Sequence, residues 1–139
     1  MMHPWRALRG RPHLDVVFAE LPPRTHGLIK SDGTVVLARD LNQVERRCVL
    51  MHELVHDERG IPEVPSAAEE AAVEREVARR LIPLNDLLRV ARMCLPAEEA
   101  AEELWVTEDV LTCRLASLDG GERFAWRAML ADLAEHEPC

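Results

Sequence analysis

The chain has 139 residues, a formal net charge of −8 and 47% hydrophobic residues, the make-up of a single globular unit with room for a real core. Its acidic balance, with Lys30 as the single lysine, argues against general affinity for nucleic-acid phosphates, which calls for clustered Lys and Arg. No stretch approaches the roughly 18 apolar residues of a bilayer span, and the N-terminus lacks the apolar run of a secretory signal, so a cytoplasmic protein is expected.

The first element is a short β-branched and apolar run, Asp15 to Glu20, closed by Leu21-Pro22-Pro23. The runs His26 to Lys30 and Thr34 to Ala38 flank Ser31-Asp32-Gly33, and an Asp-Gly pair in that position predicts a hairpin. A small antiparallel sheet is therefore expected ahead of the first long helix. Its edge would offer unpaired N–H and C=O groups to an extended peptide, or would simply complete the core.

Asn42 with Glu45 three residues on is a capping box that uses Asn, and the helix it opens runs to about Asp57, stopping near Gly60 and Pro62. Within it lies His52-Glu53-Leu54-Val55-His56, an H-E-x-x-H motif. Two histidines four apart sit on one helix face, about 6 Å apart along the axis, which suits two ligands of a tetrahedral Zn²⁺. Glu53 is then placed as general base toward a water on the ion. Val44 and Cys48 continue the histidine face, whereas Leu50 and Leu54 point to the core. Cys48 is a conceivable soft ligand but reads better as a packed thiol.

Residues Gly60 to Ser66 form a connector. Ser66 and Glu69 make a second capping box, and the next helix ends at about Ile82 before Pro83. Its apolar stripe is Val73, Val77 and Leu81, and Glu70 projects from that stripe. A carboxylate there is the expected third metal ligand, with Glu74 in reserve; the alternative is a carboxylate paired with Arg46 or Arg47. The expected metal set is thus His52, His56 and Glu70, with Glu53 catalytic. Zinc is the default, and manganese stays open for nitrogen and oxygen ligands. The chain has no tyrosine, so an oxyanion donor would be His26, an arginine or a backbone N–H.

His26-Gly27-Leu28, Arg46-Arg47-Cys48, His52-Glu53-Leu54-Val55-His56 and Glu69-Glu70 through Leu81-Ile82-Pro83 together resemble the ImmA/IrrE metallo-endopeptidases, in particular short versions from actinobacterial phages. In that family a Glu in a pattern like E-x-x-A-x-x-F-A-x-x-L-L-x-P completes the zinc site, and matching its end to Leu81-Ile82-Pro83 puts the Glu at Glu70. Val77 replaces the usual Phe, and Glu74 and Glu76 crowd the stretch. The resemblance runs from about His26 to Leu118. It implies a zincin-like core and a narrow protein substrate, a helix-turn-helix phage or prophage repressor.

Leu84 to Met93 is an amphipathic helix, Pro96 to Leu104 an acidic one, and Trp105 to Leu111 looks like the turn of a helix-turn-helix with Thr107 as N-cap. Arg114 follows where such helices carry a basic residue. A last helix covers about Glu122 to Glu135. With four glutamates in the preceding helix, this unit reads as structural or protein-binding rather than as a DNA reader. Cys48, Cys94, Cys113 and Cys139 show no C-x-x-C spacing and are expected to be reduced, Cys48 and Cys113 in the core.

The expected fold is α+β, with residues 1–83 a zincin-like core and residues 84–139 a helical C-terminal subdomain. The expected function is zinc-dependent cleavage of a regulatory protein. The competing functions are a non-catalytic binder of a regulator and a DNA-binding regulator.

Overall fold

A computed structural model describes residues 3–60 and 66–136. The elements in chain order are α1 (Pro4–Arg9), β1 (Asp15–Ala19), β2 (Gly27–Ile29), β3 (Thr34–Ala38), α2 (Gln43–Arg59), α3 (Ala67–Leu81), α4 (Leu84–Ala91), α5 (Ala97–Leu104), α6 (Glu108–Ala116) and α7 (Gly120–His136). The described residues are thus α+β and mostly helical. None of the helices is long and apolar enough to cross a membrane.

The expected hairpin is present. β2 pairs antiparallel with β3, with Leu28 opposite Val36, and Gly33 turns the chain at φ +92°. Asp32 stabilises the turn by accepting the Thr34 N–H at 2.9 Å. The sheet as a whole is mixed rather than antiparallel. Its order is β1-β3-β2, and β1 runs parallel to β3, with Val17 opposite Val36. The cause is the seven-residue segment between β1 and β2, which carries the chain past the position of β3 and leaves the centre of the sheet free for it. Strand β3 is therefore the buried one, while β2 keeps a free edge.

Helix α1 carries no strong sequence signal. Its support is tertiary: Trp5, Ala7 and Leu8 pack on Leu14, Val35, Leu37, Leu50 and Leu54. Pro4 at the first helical position costs no hydrogen bond and presets φ.

Helix α2 starts where Asn42 caps it. The Asn42 side chain accepts the Glu45 N–H at 2.8 Å, and the Glu45 carboxylate accepts the Asn42 N–H at 2.9 Å. Leu50 and Leu54 face the sheet; Met51 and Val55, about 100° further round, face the other helices. All four are fully buried. The helix is apolar on two sides because it is sandwiched between two layers, and only its histidine face remains free for chemistry. Burial of each such side chain is worth roughly 1.5–3 kcal/mol.

A second cluster joins Cys48, Met51 and Val55 of α2 to Val73, Val77 and Leu81 of α3 and on to Leu87, Leu104, Val106 and Leu111. At the end of α5 Trp105 takes a left-handed conformation, φ 57°, and its carbonyl accepts from the buried Arg47 guanidinium. Thr107 caps α6 as expected, accepting the Val110 N–H at 3.4 Å. Arg114 does not reach outward as the basic residue of a DNA-reading helix. It is 2% exposed, and its Nε donates to the Ile82 carbonyl at 2.7 Å while its other nitrogens donate to Glu122. Cys48 is buried and free and Cys113 half-buried and free, whereas Cys94 is disulfide-bonded, contrary to four reduced thiols.

Candidate metal centre

On α2 the residues 48, 52 and 56 occupy one face, and Glu53 is turned about 100° from His52 toward the sheet. Ser66 starts α3 by accepting the Glu69 N–H at 3.0 Å, which sets the phase of the following helix. With Val73 and Val77 packed inward, Glu70 is then directed at α2. The Glu69 carboxylate does not close the capping box but reaches Arg59.

His52, His56 and Glu70 converge. The two histidine Nε2 atoms are 3.1 Å apart, His52 Nε2 is 3.2 Å from one Glu70 oxygen, and His56 Nε2 is 2.8 Å from the other. The ligand atoms of the trio all lie within 4.8 Å of one another. Adjacent ligand atoms of a tetrahedral ion with bonds of 2.0–2.1 Å stand about 3.3 Å apart. The trio therefore has the spacing of three corners around one ion, and two imidazoles with a carboxylate are a donor set that zinc takes readily. Glu74, the reserve ligand, is exposed and outside the trio, and the buried Cys48 is outside it as well. Arg46 and Arg47 are occupied elsewhere, Arg46 over the Phe18 ring and Arg47 on Trp105.

Burial sets the proton affinities. His52 is pushed below the ordinary histidine value by burial, partly countered by the nearby Glu70 carboxylate, which favours the neutral form that a ligand must have. Glu53, 5% exposed, is raised to about 7 by burial and secondarily by the Glu70 charge. A carboxylate with that affinity can both accept and return a proton near neutral pH.

His52 and Glu53 open on a cleft of about 610 Å³. One wall is His26 and Gly27 at the free edge of β2; the other is Glu74 and Val77 of α3 with Val110 and Cys113 of α6. A side chain at position 27 would put its Cβ 2.5 Å from Val49 Cγ1 and 3.4 Å from Glu53 Oε1. Glycine is what lets β2 approach the helix beside Glu53. The Ala38 N–H donates to the His26 carbonyl at 2.8 Å, so strand alternation turns the N–H and C=O of Gly27 and Ile29 to the outer edge. The contribution of α6 to this wall is what the sequence reading missed; its only signal was the half-apolar face of Val110 and Cys113. Comparison with protein-family models, with curated proteins and with solved structures finds no match for this chain.

Proposed function

We propose that the chain is a zinc-dependent endopeptidase that cleaves a specific regulatory protein, in the manner of the ImmA/IrrE enzymes its motifs resemble. The observation that carries the reading is the convergence of His52, His56 and Glu70 beside a buried Glu53, with His52 and Glu53 lining a cleft that reaches a free strand edge.

His52, His56 and Glu70 would hold the ion. When bound, zinc supplies a Lewis acid for the peptide carbonyl and acidifies a water molecule. Glu53 takes the proton from the attacking water and delivers it to the leaving amine, a transfer suited to its raised affinity. The outer edge of β2 aligns the substrate as an added strand through the free groups of Gly27 and Ile29. Arg24 and His26 line the same cleft, and either would serve as side-chain donor to the carbonyl oxygen as charge develops on it. The opposite wall, built by α3 and α6, sorts substrates by what it accepts, which gives the helix-turn-helix-like unit a role in selectivity.

The test is cleavage of a helix-turn-helix repressor encoded beside this chain, with metal content measured on the same sample. The wild type should carry one zinc and cut; Glu53→Gln should keep the zinc and not cut. Cleavage by the zinc-loaded variant at the wild-type rate would rule out Glu53 as the base.

A further inference from the structure

The site takes two ligands from α2 and one from α3, and the segment that joins the helices, residues 61–65, lies outside the described residues. Something must fix α3 along and around its axis. The tolerance is narrow: ligand distances need to hold within about 0.2 Å. A carboxylate carried about 6 Å from a helix axis moves about 1 Å for a rotation of only 10°.

Two neighbouring residues at the end of α2 reach α3 in opposite directions. Arg59 turns to the first turn of α3, where its Nε and a terminal nitrogen meet the two Glu69 oxygens at 2.7 and 3.0 Å. Glu58 turns to the last turn, where both terminal nitrogens of Arg80 donate to it, one at 3.0 Å. Glu69 and Arg80 are eleven residues apart, about 16 Å of helix. Both pairs are two-pronged, so they restrict orientation as well as distance. Arg80 is in turn steadied by Glu76, whose oxygen accepts its Nε at 2.7 Å, and Glu58 also receives Arg11.

We infer that Glu58 and Arg59 act as a bracket that grips α3 at both ends and sets the position of Glu70 against His52 and His56. They are positioning residues, and none touches the ion. The Arg59–Glu69 arm is the sensitive one, because Glu69 is the residue before Glu70 and Arg59 lies three residues after His56. Solvent-exposed pairs contribute little to global stability. Their worth here is geometric, read in the tightness of the metal site. The inference rests on the metal-centre reading.

The experiment measures zinc affinity by chelator competition and the visible absorption of the Co²⁺-loaded protein, whose intensity reports the ligand geometry. Wild type is compared with Arg59→Glu, Glu69→Arg, the double exchange, and Arg80→Gln. Unfolding midpoints of the metal-free proteins are taken alongside. Each single variant should weaken zinc by about tenfold, at the lower end of what loss of a group orienting a ligand causes, and should alter the cobalt spectrum. The Arg59→Glu/Glu69→Arg exchange should recover most of the affinity and the spectrum. Singles that match wild type in affinity and spectrum would overturn the bracket while leaving the metal centre intact. Loss of affinity that only follows a fall in the metal-free midpoint, with no rescue in the exchange, would overturn it as well. A wild type that binds neither ion at one per chain would remove the metal centre itself, and the bracket with it.

Discussion

His56 Nε2 stands 2.8 Å from Oε1 of Glu70, although one residue ends the H-E-x-x-H motif on α2 and the other lies on the first turns of α3. This contact selects between two carboxylates that share the helix, for Glu74 one turn on belongs to the cleft wall instead. Glu70→Gln should lose zinc by more than the roughly 10–100-fold that loss of a supporting group causes. Glu74→Gln should keep one zinc per chain by elemental analysis. The reverse pattern would move the third ligand to Glu74.

Glu53 gives a test that needs no substrate. Its affinity rises from 4.5 to about 7 on folding, mainly through burial. Between those values the folded protein holds a proton that the unfolded chain has released, so stability is greatest below about pH 4.5, falls as pH rises to 7, and is flat beyond. The gap corresponds to about 3 kcal/mol. In metal-free protein, Glu53→Gln should therefore raise the urea midpoint at pH 8, with the gain shrinking toward zero at pH 4.5. A gain that does not change with pH would mean that Glu53 is not held neutral by the fold.

Much of this site is legible in the chain because its determinants are local. Asn42, Glu45 and Ser66 start the two ligand helices by side-chain contacts within three residues, and helix phase then carries His52, His56 and Glu70 to their faces. Asp32-Gly33 likewise makes its turn locally. What is not legible depends on partners distant in sequence. The parallel pairing of β1 with β3 follows from strand order, which no alternation pattern records. Arg114 reads as a surface cation until Ile82 and Glu122 are brought around it. Helix α1 exists because Leu50 and Leu54 need cover on that side.

Gly27 tests whether the strand edge must lie close to α2 beside Glu53. Its Cβ position is 2.5 Å from Val49 Cγ1 and 3.2 Å from the Val36 carbonyl oxygen. Valine is stiff about χ1 and cannot swing aside freely, so Gly27→Ala should push β2 off α2 and cost about 1–3 kcal/mol. Adding Val49→Ala removes the closer contact and should return part of the stability in denaturant titration. On the proposed endopeptidase reading, activity should fall further than stability in the single variant, since the shifted edge would carry the groups that align the substrate. Equal stability of Gly27→Ala and wild type would show that the approach is looser than these distances state.

Arg114 separates a structural helix from a DNA-reading one. It is buried, and it links the end of α3 through the Ile82 carbonyl to Glu122 near the start of α7. Glu122 keeps access to water, so the cost of Arg114→Ala lies in the Ile82 carbonyl left without its donor and in the space vacated, about 1–3 kcal/mol, and Arg114→Met, which refills that space, should cost less. The solvent face of α6 offers Glu108, Asp109, Thr112 and Leu115, none of them cationic. Wild-type protein should accordingly show no salt-dependent association with duplex DNA at about 50 mM salt, where phosphate contacts are strong. Duplex binding that Arg114→Ala abolishes without unfolding the chain would restore the DNA-reading function and move this side chain back to the surface.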